Sequence, residues 1–140
     1  MAKSPVFAAQ MLAWVFHGAA PPWASAENLW ISLHAGDPGP AGSAQSDAET
    51  IYAGYHRQPV ARALAAVLID PARREATNLA GIEFPVCTQD GGGTVTHYGI
   101  GTDATGAGTL IYSGLLDEPM TVQRRHAPRL PARAMSVKEI

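Results

Sequence analysis

Leu29-Trp30-Ile31-Ser32-Leu33-His34 is the stretch on which the fold turns. Leu29, Ile31 and Leu33 recur at every second position, and Trp30, Ser32 and His34 fill the gaps. A period of two predicts a β-strand with one buried face. After it, Ala35 to Gln45 contains Asp37-Pro38-Gly39-Pro40, whose restricted proline and glycine dihedrals predict a loop able to reach away from the body. Tyr55 to Ala61 predicts a second strand, and Pro59, lacking an N–H, belongs at an edge or beside a bulge. Leu64 to Ile69 is apolar without alternation and fits either strand or helix, whereas Asp70-Pro71 marks a turn. Ile82 to Phe84 and Thr94 to Ile100, separated by the glycine-rich Asp90-Gly91-Gly92-Gly93, predict a hairpin. Thr109 to Ser113, following a turn framed by Gly106 and Gly108, then Met120 to Gln123 and Ala134 to Val137, complete the series. The expected fold is all-β: one domain over residues 1–140, with a jelly-roll-like antiparallel β-sandwich over 28–140.

Upstream, Pro21-Pro22 ends a different pattern. Ser4 before Pro5 reads as an N-cap with proline at the first helical position, and Gly18 stands where a helix would stop. One short N-terminal helix is expected over residues 4–18. Phe7, Met11 and Trp14 share a face at i, i+4 and i+7, and Leu12, Val15 and Phe16 widen it, which implies burial on more than one side. The apolar run is shorter than the roughly 20 residues that span a bilayer, and no small-residue cleavage pattern follows it. The expectation is an intracellular product that does not enter a membrane.

Of the 140 residues 46% are hydrophobic, but alanine supplies much of that share, so the core should be lean and open to support from neighbouring subunits. Charged residues, at 16%, fall below the roughly 25% usual in soluble domains, as suits a surface partly covered by partners. A net charge of −2 provides no basic field for nucleic acid. Cys87 stands alone, which excludes an internal disulfide and a Cys-based zinc site.

The chemistry-bearing residues point away from catalysis. His17, His34, His56, His97 and His126 lack the close His-x-His pair and following carboxylate that a cupin-like metal site needs. His34 and His97 read as residues on a polar strand face or as partners of loop carbonyls. Ser32, His34 and Asp37 could be drawn as a triad, but no G-x-S-x-G elbow is present. Gly91-Gly92-Gly93 and Gly99-Ile100-Gly101 lack the Lys-Ser/Thr ending of a phosphate-binding loop. No cofactor, metal or enzymatic activity is expected. The segment from Gln123 to Lys138 carries Arg124, Arg125, Arg129, Arg133 and Lys138 with no acid before Glu139. It is either a solvated loop or a surface that forks onto carboxylates of a partner.

Five segments in order carry a resemblance. Leu29 to Gly39 is similar to the L-x-x-S-L-H-x-x-D-P-G opening of a family of small tailed-phage virion proteins. Gly54 to Val60 resembles its G-Y-x-R-x-x-V strand, and Asn78 to Pro85 its N-x-x-x-I-x-F-P segment. Gly93 to Gly101 resembles G-T-V-T-H-F-G-I/V, and Gly108 to Gly114 resembles G-x-L-L-Y-S-G. Between Ala61 and Thr77 the chain departs from that pattern. The resemblance implies a capsid cement (decoration) protein, made in the host cytoplasm and bound outside the shell across seams of the major capsid protein. It also implies a homo-oligomer, a two-fold dimer suiting a two-fold seam better than a trimer. The expected contacts are Phe7, Met11 and Trp14 on the helix, Asp37 in the loop, and Arg124, Arg125, Arg129 and Arg133. The alternative is a tail-fibre or baseplate module for a host glycan, which would cluster exposed aromatics such as Tyr52, Tyr55 and Trp23.

Overall fold

The computed structural model describes residues 2–38 and 44–139. β1 (Ala2–Lys3) leads into α1 (Pro5–His17), followed by β2 (Asn28–His34), β3 (Gln58–Ala61), β4 (Val67–Asp70) and β5 (Glu75–Asn78). Then come β6 (Ile82–Glu83), β7 (Thr94–Gly101), β8 (Leu110–Thr121), β9 (Arg129–Leu130) and β10 (Ser136–Lys138). All pairings are antiparallel, in sheets ordered β1-β8-β7-β2-β3, β10-β5-β4 and β6-β9. The fold is an all-β sandwich with one short N-terminal helix, as the alternating runs require.

Register explains the core. Ile31 pairs with Ile100, which pairs with Tyr112, and Leu33 pairs with Tyr98, which pairs with Gly114. Side chains of these rows meet Phe84, Leu130, Met135 and Val137 in one apolar cluster that includes Cys87. Gly114 is glycine because a Cβ there would lie 2.4 Å from the Tyr98 ring. Pro59 sits opposite Trp30 on the edge strand β3, where its missing N–H costs no ladder bond.

The helix follows its punctuation. The Ser4 hydroxyl accepts from the Phe7 amide at 3.1 Å and donates to the Leu110 carbonyl, while the Ser4 amide donates to the Ile111 carbonyl at 2.9 Å. Gly18 ends the helix at φ +67°, its amide donating to the Ala13 carbonyl. No helix among the described residues is long and apolar enough to cross a membrane.

Several expectations are corrected. Ile82–Glu83 does not form a hairpin with β7. It pairs with β9, and the alignment continues through Phe84 N–H to Pro128 and Cys87 N–H to His126. The glycine turn still bends the chain, at Gly91 (φ +85°) and Gly93 (φ +76°), but β7 takes β8 as its partner. Thr109 to Ser113 and Met120 to Gln123 are not separate runs, because β8 continues from Leu110 to Thr121 across a register shift opposite Val95 to His97. The ambiguous stretch after Leu64 resolves into the β4-β5 hairpin, whose turn is held by the Asp70 carboxylate accepting from the amides of Ala72 and Arg73.

The loop after β2 also differs from expectation. Residues 39–43 lie outside the described residues, but the chain from 44 onward folds back against the sheet. Ala35 N–H donates to Ala48 and Thr50 N–H to Leu33, so the returning chain extends along the edge of β2. Ser32 and His34 are therefore fully buried, not on a polar face, and His34 takes its other expected place as partner of a loop carbonyl, that of Asp47.

Candidate interaction surfaces

The residues that most resemble a catalytic set form a sealed structural cluster. Ser32 Oγ lies 2.7 Å from His34 Nε2, and His34 Nδ1 lies 2.8 Å from the Asp47 carbonyl oxygen. A carbonyl only accepts, so Nδ1 carries a proton, and in the neutral ring Nε2 accepts from the serine. Burial lowers the His34 pKa from its ordinary 6.5. Both side chains are wholly inaccessible, which leaves a substrate no approach. Asp37, the third member of that arrangement, is exposed instead.

Beside this pair the Arg57 guanidinium forks onto Glu49, with Nε and Nη2 each 2.8 Å from a carboxylate oxygen. Its Nη1 donates to the Asp103 carbonyl at 2.9 Å and Nη2 to the Gly106 carbonyl at 2.5 Å. Tyr55 donates to Glu49 at 2.6 Å and accepts from the Leu33 amide at 3.1 Å, and burial raises its hydroxyl pKa. Gln45, also fully buried, accepts from the Asp103 amide at 2.8 Å. It fills a notch that exists because positions 101 and 108 are glycine. The cluster ties two loops to the sheet and leaves no described buried side-chain polar atom without a partner.

Unsatisfied chemistry lies outside. Phe7 is not available to a partner: it is buried between Tyr112 (ring centroids 5.0 Å apart) and Trp23 (5.7 Å). Met11 is half-buried and Trp14 is 42% exposed. The more open stripe is Leu12, Val15 and Phe16, at 61%, 73% and 77% exposure. Both stripes were visible in the sequence and are equally apolar. What decides between them is Trp23, whose indole N–H donates to Gln10 at 2.8 Å and so turns the Phe7-Gln10 side inward.

Arg124, Arg125, Arg129 and Arg133 are all exposed, and among the described residues none of them forms an ion pair. Arg125 and Arg133 adopt φ of +69° and +65°, each at a turn whose amide is tied back to the body, to the carbonyls of Cys87 and Asn78. The Arg129 guanidinium lies over Gly81, where a Cβ would come within 2.7 Å of it. The arginines thus stand along one ribbon that runs beside β6. Asp37, in the loop after β2, lies outside that ribbon in the sequence.

The aromatics named for a glycan platform do not form one. Tyr52 is buried, with its hydroxyl donating to the Pro85 carbonyl at 2.6 Å and its pKa pushed up to about 12 by that burial. Tyr55 lies in the polar cluster, and Trp23 is sandwiched between Phe7 and the Arg62 guanidinium 5.8 Å from its ring centre.

The family model described as "Podophage GP4 fiber I protein gp80" matches residues 2–138. No curated protein matches the chain.

Proposed function

The chain belongs to the podophage GP4 fiber I protein gp80 family, a family of phage virion structural proteins, and from that premise we propose that it is a non-enzymatic subunit of the particle's fibre apparatus. The arginine ribbon is its attachment surface. The observation that carries this reading is that four exposed guanidinium groups stand without ion pairs among the described residues, on a chain whose net charge is −2. Guanidinium groups fork onto carboxylates, so the fitting partner is an acidic face of a neighbouring virion protein. The sealed state of Ser32 and His34 supports the absence of catalysis.

The capsid-cement address, with the major capsid protein as partner and the outer shell as location, would use the same ribbon. It differs only in where the acidic face lies. The family description weighs toward the fibre. Many copies on one particle would let modest individual contacts hold firmly.

Changing Arg124, Arg125 and Arg129 together to Ala tests the ribbon. Three exposed charge contacts at about 0.5 kcal/mol each predict roughly ten-fold weaker binding to particles lacking the protein, with thermal unfolding unchanged. Wild-type binding should also weaken with added salt. Equal binding by the triple variant and the wild type would remove the ribbon from the account.

A further inference from the structure

We infer that the arginine ribbon ends in a socket for one bulky apolar side chain of the neighbouring virion protein, a side chain flanked in that partner by a basic and an acidic residue. The inference rests on the ribbon being an attachment surface and names what the partner carries there. The socket, about 290 Å³, lies between the second half of β8 and the chain around β9. Leu116, Met120 and Leu130 form its apolar lining, with Asp117 and Glu118 on the β8 side and Arg129 on the β9 side.

The β8 wall has a cause in the register. Leu115 pairs with His97 and Met120 with Val95, so residues 116–119 stand opposite Thr96 alone. Extra residues on one strand bow it away from its partner and re-aim its side chains. Leu116 is turned in, at 8% exposure, while Asp117 and Glu118 are left exposed. On the other side Leu130 is buried in its pairing with Ile82. The turn that follows, closed by the Ala134 amide donating to the Pro131 carbonyl at 3.1 Å, sets a small side chain against the opening where a larger one would fill it.

Charge decides what the socket fits. Asp117, Glu118 and Arg129 line one opening, yet among the described residues none of the three forms an ion pair. The apolar gap keeps the opposite charges apart and leaves both open to a guest. A carboxylate facing Arg129 and a cation facing Asp117 and Glu118 satisfy the two sides at once. An apolar side chain between them is the kind of desolvated anchor, ringed by polar groups, on which interfaces concentrate affinity. A polyanion fits poorly, because it brings its charge against Asp117 and Glu118. The cleft between the sheets near Ala76 is different: its lining is apolar but for Arg62 and specifies no guest.

Cosedimentation with particles lacking the chain tests this by the sign of the effect. Asp117→Lys together with Glu118→Lys adds positive charge beside the ribbon. A uniformly acidic partner would then be held more tightly, whereas the socket predicts binding about ten-fold weaker or more. Ala134→Phe, which fills the socket, should weaken binding about 30-fold or more, the loss expected of a buried anchor, with cooperative thermal unfolding retained. If the Ala134→Phe chain does not fold, the charge reversal at the exposed acids carries the test. Unchanged or tighter binding after that reversal overturns the socket, as does wild-type affinity in a folded Ala134→Phe chain. Equal affinity of the wild-type chain for duplex DNA at the same salt also overturns it, by assigning the arginines to phosphate. Arg124→Ala together with Arg125→Ala, outside the socket, keeps the two readings apart: weakened binding by this variant alone leaves the ribbon without the socket, and undiminished binding by every variant removes both.

Discussion

The proton on His34 is fixed by a single backbone atom. Burial holds the His34 pKa below 6.5 and outweighs the Asp47 carbonyl, which accepts the Nδ1 N–H and by itself favours the charged ring. The unfolded chain takes up the second ring proton first as pH falls, so the contribution to stability is whole above pH 6.5 and is lost as pH drops toward the folded value. Thermal unfolding followed across this range should show a falling midpoint, and His34→Gln should flatten that dependence. An unchanged slope in the variant would assign the effect to other groups. The Arg57-Glu49 fork makes a different prediction. With their side chains 3% and 12% exposed, removing one partner leaves the other charge poorly solvated, and Arg57→Leu should cost about 3 kcal/mol or more in denaturant unfolding. Little of this is legible in the sequence. Ser32 and His34 alternate with Ile31 and Leu33 in a strand pattern that distinguishes two faces but says nothing of a covering loop. The segments that carried the resemblance nevertheless include Ser32, His34, Tyr55, Arg57, Gly99 and Gly101, and these converge on one buried cluster.

Among the elements, α1 was the most legible because its ends are local. Ser4 and Gly18 act through bonds to residues three and five positions away and Pro5 through its fixed φ, and the limits of α1 match the structure. Ser4→Ala should cost about 1 kcal/mol for the lost cap, with more for the lost bond to Leu110, and should speed amide exchange in the first turn of the helix. Unaltered exchange there would show that packing of Phe7 alone fixes the helix start. Strand pairing was less legible because partners are chosen by register across long separations. Nothing near Ile82 indicates Leu130, forty-eight positions later, whereas the intervening glycines suggest a local hairpin. The glycines of β7 illustrate the same limit. Gly99 and Gly101 have the spacing of a loop motif, but they are strand residues whose missing side chains admit His34, Ser32 and Gln45. A Cβ at Gly101 would fall 2.1 Å from Gln45 Cδ. Gly101→Ala should therefore cost about 1–3 kcal/mol and expose the Gln45 segment to proteolysis.

At the scale of the whole molecule, polar groups are satisfied inside and left over outside. The interior cluster closes on itself, while the arginine ribbon, the Leu12-Val15-Phe16 stripe and the cleft near Ala76 remain exposed. That distribution suits a subunit that folds first and then assembles. Composition anticipated it in part, through the low share of charge, but not through alanine, because no described alanine is among the buried residues of the core. The exposed surface was only partly legible: Arg124, Arg125, Arg129 and Arg133 are exposed, but Phe7 belongs to the core and the open Leu12-Val15-Phe16 stripe lies about a third of the way round the helix from it. Sequence periodicity cannot choose between two equally apolar faces when the residue that decides, Trp23, lies beyond the helix. The central claim, a structural subunit of the fibre apparatus, is tested most directly by cosedimenting the purified chain with particles lacking it and, separately, with their tailless heads. Saturable binding in a fixed ratio to the tailed particles and none to the heads is the predicted result; equal saturable binding to tailless heads would contradict the fibre address.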